Sequence, residues 1–310
     1  MYFISIWSLS NHFQKKVLPS IKLNKKIKIV SILTNKDKKN LKFKNINIHS
    51  DKKKFFLDEN FDYVYISSIN SKHYENCKYA LENKKNVICE KPICLNKSQL
   101  NNLKKIADKN KIKFQEVIQY THHPLFIKLK KIINDKIIGN ILHVDSSFKV
   151  PIDDKKNFRF IKKLGGGALN DVGFYPISIM FTLFESKKIK MLDSKIIKQN
   201  NLDISGNIKA QNEKKIIFNL SWGFKSLYKN NIKIYGENGF IDVDFIFSKK
   251  IFQEGEINIF KNTKKTIQIK ESNQISLAFQ NMLLSNKKRF NKNFETSMKI
   301  LNIIEDLKKK

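Results

Sequence analysis

The first ~120 residues repeat one pattern: a short, β-rich apolar run followed by an amphipathic stretch with apolar residues at helical spacing. The apolar runs are 2–7, 27–34, 62–67, 86–89 and 113–118. Between them, 12–22, 72–84 and 97–109 carry the helical pattern, as in Tyr79, Ala80 and Leu81 against lysines on the opposite side. Such alternation predicts a parallel sheet flanked by helices, a Rossmann-like domain over residues 1–120.

From about residue 122 the pattern changes to one helix (123–135), a turn at Gly139, and segments alternating at period two: 140–149, 188–198, 202–211, 214–222, 230–235 and 240–247. Helical runs at 275–287 and 293–309 follow. Period-two alternation over many neighbouring strands predicts a large, mostly antiparallel sheet with one solvated or partner-covered face. The expected fold is therefore α/β: the Rossmann-like parallel sheet, then an α+β domain over 121–310 for substrate and oligomerisation. At 310 residues and 41% hydrophobic content the chain is long enough for two such cores. No Pro/Gly/Ser linker separates them, so the expected active site is a cleft between closely coupled domains.

Several function classes are disfavoured. The net charge of +32 would suit nucleic acid, but the excess is almost wholly lysine, with Arg159 and Arg289 the only arginines, and it is spread through every segment. It reads as a solvated coat that attracts anionic substrates and cofactors over long range, so no nucleic-acid partner is expected. No apolar run reaches membrane-spanning length and the first residues lack a signal-peptide pattern, so a cytoplasmic location is the default and no membrane partner is expected. Cys77, Cys89 and Cys94 have neither disulfide nor zinc spacing, and the histidines form no ligand set, so no metal is expected.

The segment from Asp62 to Asn96 ends a strand with Glu90-Lys91-Pro92, one strand–helix unit after Ser68-Ile69-Asn70-x-x-His73. A second constellation runs from Gly165 to Pro176, GGGALNDVGFYP. Together they resemble the Gfo/Idh/MocA family of NAD(P)-dependent sugar and polyol oxidoreductases, through its Glu-Lys-Pro signature and its Gly-Gly-Gly-x-Leu-x-Asp-x-Gly-x-His/Tyr-Pro motif. Tyr120 to Pro124, Phe158-Arg159 and the hairpin through Gly236 and Gly239 extend the likeness.

Carboxyl ends of parallel strands face the ligand crevice of an open α/β sheet, so Lys91 is expected there, as a donor to the reacting oxygen. Pro92 makes a cis bond accessible that would set the lysine's direction. The resemblance implies that Glu90 reaches the nicotinamide ribose and that His73 lies near the cofactor. It implies Tyr175 as the base that takes the hydroxyl proton, with Lys91 as the cation a tyrosine of pKa near ~10 needs. Asp171 would orient the substrate hydroxyl or Lys91. Asp171 and Tyr175 share a face if the segment is helical, although Pro176 predicts a kink. The plainer alternatives stay open: Lys91 as one more surface lysine, Asp171 as a helix cap, Tyr175 as a half-buried core aromatic.

The sequence departs from the pattern at the first turn. Where a dinucleotide fold carries G-x-G-x-x-G, this chain has Ser8-Leu9-Ser10-Asn11-His12-Phe13, and its first glycine is Gly139. A side chain at a positive-φ position costs about 1 kcal/mol. Serines are the least harmful replacements, because their hydroxyls donate to phosphate at a helix N-terminus. After the second strand come Thr34, Asn35 and Lys36, without an acidic residue for an NAD ribose, which tilts the expected cofactor from NAD towards NADP.

The expected cofactor-binding set is Ser8, Ser10, Asn11, His12, Thr34, Asn35, Lys36, Ser68, Asn70, His73, Glu90, Lys91 and Arg159, with Lys91, Asp171 and Tyr175 catalytic. The expected activity is hydride transfer between NAD(P) and a carbinol or carbonyl carbon of a sugar, nucleotide sugar or polyol, by a homodimer or homotetramer. The alternative is a catalytically silent descendant that keeps the fold to bind a ligand.

Overall fold

A computed structural model describes residues 1–36, 43, 46–58, 60–154 and 156–309. The alternating part of the sequence folds as β1 (Tyr2–Trp7), a helical run that is π-helical over Phe13–Val17 and continues as α1 (Leu18–Lys22), β2 (Ile27–Leu33), β3 (Asn47–His49), α2 (Lys52–Asp58), β4 (Tyr63–Ile66), α3 (Asn70–Glu82), β5 (Asn86–Cys89), α4 (Lys97–Lys109) and β6 (Phe114–Glu116). The strands pair in parallel in the order β3-β2-β1-β4-β5-β6. Order reverses between β1 and β4, which makes their carboxyl ends the topological switch point. Ile4, Ile6, Val64, Tyr65, Ile66, Val87 and Ile88 are almost wholly buried, as expected of strands covered on both faces.

β3 and α2 have no counterpart among the expected elements. A three-residue strand shows no period, and α2 opens on three lysines. Its two phenylalanines nevertheless hold it to the sheet: the Trp7 ring lies 6.5 Å from Phe55 and 5.6 Å from Phe56.

The rest of the chain forms α5 (Pro124–Asn134), β7 (Ile141–Lys149), a π-helical turn over Leu169–Gly173 leading into α6 (Phe174–Thr182), β8 (Ile189–Gln199), β9 (Leu202–Asn212), β10 (Ile217–Gly223), β11 (Lys229–Gly236), β12 (Gly239–Asp244), β13 (Gln253–Phe260), β14 (Lys264–Ser272), α7 (Gln274–Leu283) and α8 (Lys287–Lys308). The second sheet runs β14-β13-β12-β11-β7-β10-β9-β8. Its pairs are antiparallel except β7 with β10, which is parallel. β13 and β14 extend it beyond the six expected segments. β10 starts at Ile217 rather than 214 because Lys215 turns at φ +63°, and β12 stops at Asp244 because Phe245 turns at φ +53°. α6 lies against β7 and β10, over buried Val144, Phe218, Leu220 and Trp222.

By proximity the described chain divides into two units, Met1–Ile118 with Ile275–Met298, and Gln119–Gln274 with Lys299–Lys310. The returning segment completes the first core. Phe279 packs edge-on to Tyr65 at 5.1 Å, and Met282 and Leu283 are buried with Ile4, Ile6 and Phe13. Gln115 Nε2 donates to the carbonyl of Met282 at 3.0 Å, and Lys113 Nζ to that of Ser285 at 2.9 Å. Among the described residues no helix is long and apolar enough to cross a membrane.

Candidate active site

In the first unit the chain leaves β1 through Ser8, which adopts φ +83° although it carries a side chain. Its amide donates to the carbonyl of Leu33 at 2.8 Å and its carbonyl accepts from Ser67 Oγ at 2.8 Å, so the turn is tied to the ends of both neighbouring strands. Ser10 then starts the helix: its hydroxyl accepts from the Phe13 amide at 3.0 Å and its carbonyl from the Gln14 amide at 3.0 Å. Phe13, bulky where a glycine is usual, is fully buried 6.0 Å from the Tyr65 ring, and the wider π turn begins at that residue. Asn11 and His12 lie in the first helical turn, where amides lack intrahelical acceptors and the dipole favours an anion. These features suit a dinucleotide phosphate even without the glycines. At the end of β2 Thr34 is buried, its amide donating to the His49 carbonyl at 2.9 Å, while Asn35 and Lys36 are exposed.

Beyond β5 the chain turns through Glu90-Lys91-Pro92, and the Lys91–Pro92 peptide is cis. Glu90 Oε1 accepts from Tyr65 Oη at 2.6 Å. The same oxygen lies 3.5 Å from His12 Nε2, an electrostatic approach rather than a well-formed hydrogen bond. Burial pushes the Glu90 carboxyl up, but His12, the Tyr65 hydroxyl and Lys91 outweigh it and hold its pKa below the usual value. His73 bridges two loops, with Nδ1 2.8 Å from the Pro92 carbonyl and Nε2 2.9 Å from that of Ser68. Burial pushes its pKa down; the two carbonyls pull the other way without restoring it. Asn76 Nδ2 donates to Ser68 Oγ at 3.0 Å, and Asn70, the first residue of α3, is buried. Its neutral ring has one N–H and donates to one of these two carbonyls at a time, so His73 sits between the Ser68 loop and the Lys91 turn and ties to either.

In the second unit the triple glycine wraps the turn at Phe158–Phe160. The Gly167 amide donates to the Arg159 carbonyl at 2.9 Å, and a Cβ on Gly166 would stand 2.5 Å from that same oxygen. Gly167 itself adopts φ +110° with Asp203 packed where a side chain would begin. The Asp203 carboxylate accepts from the Leu169 amide at 2.5 Å, and burial raises its pKa to about 6. Arg159 Nε pairs with Asp171 Oδ2, and the guanidinium lies over the Phe158 ring at 4.8 Å.

Tyr175 is nine-tenths buried among rings, 4.9 Å from Phe148, 5.6 Å from Phe247 and 6.2 Å from Tyr120. The irregularity expected from Pro176 takes the form of the π turn: the carbonyl its ring would crowd, four residues back, belongs to Val172 inside that turn.

The structure thus brings His12 of the first turn to Glu90, and Ser68 with His73 and Pro92, in the first unit, and Arg159 to Asp171 in the second. Tyr65, Ser67, Glu116 and Asp203 support these segments but were not among the expected residues. No local motif marks them; Tyr65 and Glu116 are polar residues at buried strand positions, and that was the available signal for those two.

Residues 10–118 match the profile of an oxidoreductase family with an NAD-binding Rossmann fold, and residues 126–242 match the GFO/IDH/MocA C-terminal domain. The chain is 27% identical over 187 residues to a trans-1,2-dihydrobenzene-1,2-diol dehydrogenase of Xenopus tropicalis, covering 60% of this chain and 56% of that protein. It is 26% identical over 192 residues to a dTDP-3,4-didehydro-2,6-dideoxy-alpha-D-glucose 3-reductase of Actinomadura kijaniata, covering 61% and 58%. The match thus spans a little over half the length of these relatives. Its fold is similar to that of a 3-ketoreductase from Actinomadura kijaniata in complex with NADP and TDP-benzene, with a TM-score of 0.91, 17% identity, and coverage of 98% of this chain and 96% of that one.

Proposed function

This chain belongs to the Gfo/Idh/MocA family of oxidoreductases, and on that premise we propose that it transfers hydride between a nicotinamide dinucleotide and a carbinol or carbonyl carbon of a sugar, nucleotide sugar or polyol. The observation that carries the proposal is the Glu90-Lys91-Pro92 turn. It sits at the carboxyl end of β5, with Glu90 held by Tyr65 and Pro92 by His73, in the unit whose strand order reverses at β1 and β4.

Ser8, Ser10, Asn11 and His12 would hold the dinucleotide pyrophosphate at the start of the first helix, and Thr34, Asn35 and Lys36 its adenosine ribose. Lys36, a cation beyond the end of β2, favours NADP, the cofactor bound by the Actinomadura 3-ketoreductase. Glu90 would meet the nicotinamide ribose, alongside Ser68, Asn70 and His73. The bound nicotinamide supplies the hydride acceptor or donor. Lys91 donates a hydrogen bond to the substrate oxygen, Tyr175 takes the hydroxyl proton in the oxidative direction, and Asp171, with Arg159, orients the substrate.

The test is a fluorescence titration with NADH and NADPH, using Trp7 at the end of β1. Saturable quenching, tighter with NADPH, supports the proposal. A second reading, a ligand-binding descendant without catalysis, is favoured by one observation: a side chain stands at the positive-φ position of the first turn. Absence of binding up to millimolar cofactor would shift the assignment to it.

We also propose a homodimer or homotetramer built on the open face of the second sheet. That face is polar, with His143 Nε2 2.6 Å from Asp145 Oδ1 and Ser147 Oγ 2.7 Å from Ser221 Oγ, so the interface would be hydrogen-bonded and wet. A monomer mass in light scattering would overturn it.

A further inference from the structure

Glu116, the last residue of β6, is a carboxylate that the hydride-transfer proposal leaves without a role. It is 2% exposed. One oxygen, Oε1, accepts from the Ile93 amide at 2.8 Å, two residues beyond Lys91. The other, Oε2, accepts from Ser297 Oγ at 2.5 Å. Its backbone is clamped as well: the Glu116 amide donates to Asn293 Oδ1 at 2.9 Å, and Asn293 Nδ2 donates to the Glu116 carbonyl at 3.0 Å. The Val117 amide binds the Cys89 carbonyl at 2.8 Å, which fastens the ends of β6 and β5 together directly beneath the turn.

A carboxyl buried this deeply is costly unless its hydrogen bonds are worth the desolvation. Both oxygens here are used, one on the turn and one on α8. The charged groups acting on it, Lys91 and Glu90, are on the turn, and they act in opposite directions. From α8 it meets the uncharged Ser297 and Asn293.

We propose that Glu116 is a positioning residue for Lys91. Braced by Ser297 and Asn293, its carboxyl fixes the Lys91-Pro92-Ile93 turn through the Ile93 amide and so sets where the Lys91 ammonium can reach. His73 holds the same turn from its other side at Pro92, so the two anchors define the lysine's approach. This inference rests on the catalytic assignment of Lys91 for its kinetic consequence but not for its structural one.

The test compares Glu116→Ala, Glu116→Gln and Ser297→Ala in the full-length chain. Hydrogen–deuterium exchange at the Ile93 amide, the acylation rate of Lys91 read by mass spectrometry, cofactor affinity and turnover are measured for each. Glu116→Ala and Ser297→Ala should speed exchange at Ile93, change Lys91 acylation and lower kcat about 10- to 100-fold, while the NADPH Kd stays within about twofold. Glu116→Gln, which keeps an acceptor for Ile93, should restore these values. An unchanged kcat in Glu116→Ala, or Glu116→Gln as impaired as Glu116→Ala, would overturn the proposal. If the wild-type chain turns over no substrate, the oxidoreductase assignment alone fails. Ile93 exchange and Lys91 acylation then decide the positioning role: altered in Glu116→Ala and restored in Glu116→Gln supports it, and unaltered values overturn it.

Discussion

Ser67 Oγ donates to the carbonyl of Ser8 at 2.8 Å, joining the end of β4 to the end of β1 across the switch point of the parallel sheet. Ser8 is therefore held at φ +83° by its backbone partners, Leu33 behind it and Ser67 beside it, rather than by its own conformational preference. Replacing it with glycine removes the steric penalty and leaves both backbone bonds in place. Ser8→Gly should stabilise the fold by up to about 1 kcal/mol, less the extra entropy glycine gives the unfolded chain. Thermal unfolding checks this; a lower Tm would show that the Ser8 hydroxyl matters more than the strain.

Lys91→Ala should lower kcat by about 10²- to 10⁴-fold, the range for loss of a positioned proton-transfer group. Lys91 is only partly buried, so the change should leave global stability within about 0.5 kcal/mol. Steady-state kinetics beside a denaturant melt separate the two effects. Turnover that survives would remove Lys91 from the chemistry.

Tyr175→Phe keeps the ring against Phe148, Phe247 and Tyr120 and deletes only the hydroxyl. In the oxidative direction the rise in rate with pH that comes from deprotonating the base should disappear and the residual rate become flat. A profile identical to that of the parent would point to a different base.

The two buried carboxyls make stability depend on pH. Burial raises the Glu116 pKa from 4.5 to about 7, and the Asp203 pKa from 3.8 to about 6. The folded state therefore holds these protons more tightly than the unfolded chain. The stability they contribute is complete below their ordinary pKa values and is lost as pH rises through the folded ones. For Glu116 the loss between about pH 4.5 and 7 is on the order of 3 kcal/mol. The stability difference between Glu116→Gln and the parent should accordingly move in favour of the variant as pH rises from 5 to 8. Melts across that range that run parallel would show that Glu116 ionises normally.

The parallel sheet was legible in the sequence because strands buried on both faces leave runs such as those around Ile4, Val64 and Val87, with helices periodic between them. β3 was not legible, being too short to show a period, and α2 was hidden by its lysines. The Glu-Lys-Pro and triple-glycine segments stood out because their chemistry is local in sequence. Their supports did not: Glu116 is 181 residues from Ser297, and Asp203 is 34 from Leu169. Periodicity reports neighbours three or four residues away, so a carboxyl chosen for a distant amide looks like any polar residue in a strand. Tyr65 illustrates the same limit, since a tyrosine in a β-rich run gives no hint that its hydroxyl reaches Glu90.

The return of Ile275–Met298 to the first unit bears on how the protein is made. A ribosome releases β1 to β6 long before it has synthesised Phe279, Met282 or Ser297, so for most of translation the nascent parallel sheet lacks the aromatic cover over Tyr65 and the hydroxyl that binds Glu116. The first unit can be finished only after the second sheet has emerged. A ribosome stalled before residue 275 would therefore hold an incompletely covered Rossmann core, exposed to chaperones and proteases in a way the completed chain is not.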